Sequence, residues 1–177
     1  MARVRDGDRD AYAELVHRHA AAAHRTAVLL GAGADADDVV QDALVKAYRA
    51  LGRFRDGAAF RPWLLRIVAN ETRNLHRSAR RRTGRESVVG VLAEGADPAS
   101  AALSTERRAE LVAALRRLSE PYRLVVTCRY LLDLDEADTA VVLGWPRGTV
   151  KSRLHRALRQ LQQLVDQPDV RQEVRRG

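Results

Sequence analysis

The stretch from Leu143 to Leu158 leaves this chain the fewest ways to fold. Gly144 tolerates positive φ, which a helix end often requires. Pro146 fixes φ and suits the first position of a following helix, where no amide donor is needed. Beyond it, Val150, Leu154, Ala157, Leu158, Leu161 and Leu164 recur at helical spacing and predict a buried stripe. Arg147, Lys151, Ser152, His155, Arg156 and Arg159 fall largely off that stripe. The preceding segment, Asp133 to Leu143, predicts a short helix with an acidic start. A short helix, a glycine turn and a basic second helix form a helix-turn-helix, whose second helix can enter the major groove of DNA. The alternative is a helical hairpin with a solvated basic face, because many surface helices are rich in arginine.

Charge favours the first reading. The formal net charge is +8 and the isoelectric point about 10.6, which suits a polyanionic partner. The apolar residues are mostly Ala, Leu and Val with few aromatics, and no β-branched run alternates. The expected fold class is therefore all-α. Cys128 is the single cysteine, so neither an internal disulfide nor a cysteine metal cluster can form. No run of about 18 apolar residues predicts a membrane span. The charged start, Met1 to Asp10, lacks the apolar segment of a signal peptide, and a cytoplasmic protein is expected. Asn70-Glu71-Thr72 matches a glycosylation sequon, which without secretion is a chance match.

In chain order, Asp8 or Asp10 can cap a first helix running to about Leu30, with Tyr12, Leu15, Val16, His19, Ala23, Ala27 and Leu30 on one face. Gly31 and Gly33 end it, and lack the Gly-Lys-Ser/Thr of a phosphate-binding loop. A second helix runs from Asp35–Asp37 to about Leu51, with Val39, Val40, Leu44, Ala47, Tyr48 and Leu51 inside and Asp37, Asp38, Gln41 and Asp42 outside. Carboxylates in a first turn stabilise a helix through its dipole, but Asp42 lies a turn too far for that. The acid spacing fits no calcium loop. A loop carrying Phe54 leads to a third helix, with Pro62 near its first turn and Trp63, Leu64, Ile67, Val68 and Leu75 spaced to pack inward. Asn70, Arg73, Asn74, Arg77 and Arg80 lie on its other faces, and Arg80-Arg81-Arg82 closes it. Basic, amide-bearing and aromatic at its entrance, this helix has the composition of a surface for phosphates and unstacked bases.

Between about Thr83 and Ser104, glycines and Pro98 interrupt a segment with no sustained period, which predicts a flexible linker. The expected organisation is two small helical domains, residues 1–83 and 105–177, joined by residues 84–104. The second domain opens with a helix carrying Ala109, Val112, Leu115 and Leu118. Ser119-Glu120-Pro121 predicts a cap with Pro in the next first turn. Leu124, Val125, Cys128 and Leu131 form that next helix's inner face, Cys128 being a small buried residue.

Several separated stretches together resemble one family, the bacterial RNA polymerase sigma factors of the small extracytoplasmic-function (ECF) class. The matching residues are Ala36 to Leu44, Tyr48 to Leu51, Phe60 to Asn70, Leu115 with Leu118, Tyr122-Arg123, Leu143-Gly144 and, most specifically, Gly148 to Ala157. The resemblance implies sigma region 2, which binds polymerase and opens the −10 promoter element, and sigma region 4, which binds the −35 element. It gives Asp37, Asp38, Gln41 and Asp42 the role of a polymerase contact. It assigns the Phe54 to Phe60 loop and Asn70 to a flipped non-template base. Arg73, Arg77, Arg80, Arg81 and Arg82 would hold backbone phosphates. Arg147, Thr149, Lys151, Ser152, Arg153, His155 and Arg156 would divide between base edges and phosphates. An anti-sigma factor is the further partner implied, with no cofactor or metal. The family usually has Glu-Ile-Ala where Asp138-Thr139-Ala140 stands, and Ser where Pro146 sits. The alternative is a stand-alone helix-turn-helix regulator, which leaves the Asp37 to Asp42 surface without a purpose. An enzyme is disfavoured, because His17, His19, His24, His76 and His155 are scattered and no nucleophile, base and orienting group cluster.

Overall fold

A computed structural model describes residues 4, 8–55, 57–83 and 110–166, with only the helical backbone described for Arg9, Arg80, Arg82, Thr83 and Asp166. The linker expected over 84–104 and the tail from Gln167 lie outside the described residues. Among these, the structure is helical with no strand, the all-α class expected. Helices α1 (Arg9–Leu29), α2 (Ala36–Ala50) and α3 (Phe60–Thr83) make the first domain. The second holds α4, described over 110–117, then α5 (Glu120–Val126), α6 (Glu136–Leu143) and α7 (Arg147–Asp166).

Local chemistry sets the element ends. The Asp8 carboxylate accepts from the Ala11 amide at 3.0 Å and caps α1. Gly31 ends that helix at φ +98°, and a Cβ there would meet the His76 ring at 3.2 Å. Ser119 occupies the N-cap of α5 as expected, but its side chain makes no capping bond. The helix expected to continue through Leu131 instead widens after Val126 into a π turn, Thr127–Leu131. That turn buries Thr127 and Cys128 and leaves Tyr130 60% exposed.

Small residues build the first core. Ala23, Ala27, Ala36, Ala43 and Ala47 are buried between α1 and α2 and let the helices approach closely, while Leu64 and Val68 of α3 close the third side. Tyr48, expected inside, is 42% exposed; it stands at the edge, its ring 4.9 Å from Tyr12. The second core gathers Leu115, Leu118, Val125, Cys128, Leu134, Val142, Leu143, Val150 and Ala157, and it also takes in Leu65 and Ala69 from α3. Thus α3 is shared. One face fills its own domain, and the adjacent face packs against α6 of the other. The Arg61 guanidinium donates to the Leu132 carbonyl at 3.2 Å across this junction. Leu158, expected in the stripe of α7, is instead 37% exposed.

Candidate nucleic-acid interface

The helix-turn-helix is built as its turn residues require. Asp135 caps α6, its carboxylate accepting from the Asp138 amide at 2.7 Å. Gly144 ends α6 in the left-handed region at φ 69°, and the Trp145 amide then donates to the Ala140 carbonyl at 3.0 Å. The Pro146 carbonyl accepts from the Val150 amide, so Pro146 stands at the cap rather than at the first helical residue. Val150 and Ala157 are fully buried and fix the roll of α7.

That roll sorts the candidate DNA contacts. Arg147, Lys151, Ser152, His155 and Arg156 are exposed, as is Arg159, which shares their face. Thr149 and Arg153 are half-buried at its rims. Arg147 Nε lies 3.6 Å from the Glu136 carboxylate. Ser152 Oγ donates to the Thr149 carbonyl at 3.2 Å. The Arg153 guanidinium lies over the Trp145 ring, 4.1 Å from its centroid. Asp166 is the only acid on α7 and sits at its last turn.

On α3, Asn70 and Arg73 are half-buried and Arg77 exposed. Helical spacing puts them in one arc with Arg66, an exposed residue absent from the sequence-based set. Burial, with the nearby Arg77 and Arg66 charges, lowers the pKa of Arg73, while Glu120 of the second domain opposes the shift. Arg80 continues the arc by position, its side chain lying outside the described residues. Phe60 belongs to an aromatic group. Its ring is 5.5 Å from Trp63, 6.0 Å from Phe54 and 5.3 Å from His19. Phe54 is buried and anchors the loop whose far side leads into α3.

The third surface is acidic. Asp37, Asp38, Gln41 and Asp42 are all exposed on α2. Val45, 43% exposed, and Tyr48 extend the same face. Sequence reasoning gave Val45 no face and placed Tyr48 inside, because an apolar residue on an amphipathic helix is normally assigned to the core. Exposed apolar residues continuous with an acidic row are the available signal. His24 Nε2 lies 3.4 Å from the Asp37 carboxylate, and Lys46 pairs with Glu71 to tie α2 to α3. Among the described residues, no group of three or more His, Cys, Asp or Glu could hold a metal ion, and no helix is long and apolar enough to cross a membrane.

Comparison with known proteins identifies the family. The Sigma-70 region 2 family model matches residues 10–82 and the Sigma-70 region 4 model matches residues 108–161. The chain is 36% identical over 168 residues to the ECF RNA polymerase sigma-E factor of Escherichia coli (strain K12), covering 88% of this chain and 86% of that protein. The sigma-E factor of Haemophilus influenzae is 33% identical over 88% of this chain and 87% of its own length. Among solved structures, CnrH in complex with the cytosolic domain of CnrY superposes with a TM-score of 0.68, 30% identity and coverage of 93% and 94%. The sigma factor RpoE in complex with the anti-sigma factor NepR from Bartonella quintana gives 0.67, 27% and coverage of 88% and 96%. The chain therefore belongs to the ECF class of sigma-70 family RNA polymerase sigma factors. A protein of this family directs core RNA polymerase to specific promoters and initiates transcription, and the family is non-enzymatic.

Proposed function

We propose a division of labour among the three surfaces. The exposed α2 face, Asp37, Asp38, Gln41 and Asp42 with Val45 and Tyr48, docks on core polymerase. The α3 arc of Asn70, Arg73, Arg77 and Arg80, with Phe60 at its entrance, opens the −10 element and holds the displaced strand. Helix α7 docks in the major groove of the −35 element through Arg147, Thr149, Lys151, Ser152, Arg153, His155 and Arg156. Residues 1–83 and 105–177 act as the two functional domains, with 84–104 joining them. The observation that carries this reading is the separation of charge: an exposed acidic row on α2 beside basic rows on α3 and α7. A chain that only bound DNA would gain nothing from that row, because like charges repel phosphate.

The chain works in the cytoplasm, where polymerase and promoters are, and performs no chemistry of its own. RpoE of Bartonella quintana was solved bound to an anti-sigma factor, and a partner of that kind holds this chain inactive. Run-off transcription with core polymerase on a genomic fragment library tests the whole reading. Discrete transcripts sharing an upstream and a downstream motif are expected. Tight binding to duplex DNA alone, with no response to core enzyme, would instead establish a stand-alone regulator.

A further inference from the structure

Arg153 differs from every other cation on α7. Lys151, Arg156 and Arg159 are exposed, and Arg147 faces Glu136. Arg153 is half-buried and, among the described residues, its contact is the Trp145 ring, with no carboxylate or carbonyl accepting from it. Trp145 is itself fixed. It follows the left-handed Gly144, its amide is bonded to the Ala140 carbonyl, and its ring packs on the second core. An indole face attracts a guanidinium without using any N–H donor. The stack therefore orders the side chain while leaving its whole donor fork available.

We propose that Trp145 is a positioning residue that holds Arg153 ready to grip a backbone phosphate at the edge of the −35 element. Helical geometry turns Arg153 about 100° away from Ser152, towards the rim between the outer face and the core. Base edges are met by the outward side chains of a recognition helix, whereas a rim cation faces the groove wall, where the phosphates are. A planar fork held at that wall suits the two oxygens of a phosphate. Ordering it before contact lowers the conformational loss on binding.

This inference rests on the promoter-binding reading, and the test separates the two. Holoenzyme formed from core polymerase and the full chain is titrated with a promoter fragment recovered by run-off selection, at several salt concentrations. If wild-type holoenzyme binds no fragment specifically, the promoter reading fails. If it binds, Arg153→Ala is expected to weaken affinity by about fivefold to tenfold and to flatten the salt slope by about one. Trp145→Leu, which keeps bulk but removes the π face, is expected to reproduce at least half of both changes on a logarithmic scale. Trp145→Phe is expected to stay within about twofold of wild type, because a benzene face still holds the cation. The double variant Trp145→Leu, Arg153→Ala is expected to be no weaker than Arg153→Ala alone. Base-pair changes across the −35 element should alter wild-type and Trp145→Leu affinity by the same factors. Independent losses in the double variant, an unchanged slope in Trp145→Leu, or relaxed preference at one base pair would each overturn the proposal. Should Trp145→Leu lower the melting temperature, Arg153→Lys decides on a native turn: it keeps the charge but not the flat fork. Affinity equal to wild type would show that charge alone suffices and the stack has no positioning role.

Discussion

Protonating His19 works against the fold. Burial lowers its pKa from the usual value, and the Arg18 and Arg61 charges add to the effect. A histidine whose folded pKa is depressed contributes stability that is complete above the unfolded value of about 6.5 and is lost as pH falls through the folded one. The melting temperature should therefore fall as pH drops below about 6.5, and part of that fall should vanish in His19→Phe, whose ring can still pack on Phe60. An identical decline in both proteins would remove His19 from the account. Thr139 is a second residue under tension. Its side chain is fully buried and its hydroxyl has no hydrogen-bond partner among the described residues. Thr26 and Thr72, equally buried, donate to the Ala22 and Val68 carbonyls. Thr139→Val removes an unpaired polar group at nearly constant shape, and an increase of about 1 kcal/mol in unfolding free energy is expected from urea titration. Cys128 is inert for a related reason: burial pushes its thiol up to about 12, far from the thiolate that reactive chemistry needs.

At the level of the element, charge reversal on α2 should separate docking from stability. Asp38→Arg with Asp42→Arg alters two exposed side chains, so the melting temperature should change little. Affinity for core polymerase, measured by titrating labelled chain, should fall more than tenfold, about 1.4 kcal/mol or more. Retained affinity would move the docking site elsewhere. This face was legible in the sequence because Asp42 lies beyond the reach of a helix-dipole explanation, while Val39, Val40 and Ala47 mark the inner side. Tyr48 was not legible. Periodicity gives a residue's angle on the helix, not the width of the neighbour that covers it, and the small alanine core leaves the rim of α2 in water. Helix α3 shows a different limit. Its Leu64 and Val68 were readable as core, but Leu65 and Ala69 fall on a second buried face, and a single-helix pattern cannot count partners. The π turn over Thr127–Leu131 also escaped detection, since it leaves the apolar spacing of a helix nearly intact.

For the molecule as a whole, the closed packing sets a condition on function. The names of the two promoter elements put them about 25 base pairs apart, which is about 85 Å along B-DNA. Here α3 packs directly on α6, and Arg61 reaches Leu132 at 3.2 Å, so the proposed grip of α3 and α7 on both elements is incompatible with this packing. On the proposed two-point grip the domains part, exposing Leu65, buried in the shared core, whose full burial is worth about 1.5–3 kcal/mol. Polymerase and promoter can drive that opening only through contacts that the closed form does not offer. The exposed α2 face suits this role, because it is accessible before opening and can bind core enzyme first. Locking the junction should therefore block initiation while leaving the domains folded. Arg61 lines one cavity with the exposed Tyr130 across the junction, so Arg61→Cys with Tyr130→Cys brings two thiols within reach of a cleavable bis-maleimide, with buried Cys128 shielded from it. The cross-linked chain should lose run-off transcription by more than tenfold and regain it when the linker is cleaved, whereas each single variant capped with the same reagent should stay active. Full transcription from the cross-linked chain would show that promoter engagement tolerates the closed junction, and the two-point grip would have to be abandoned.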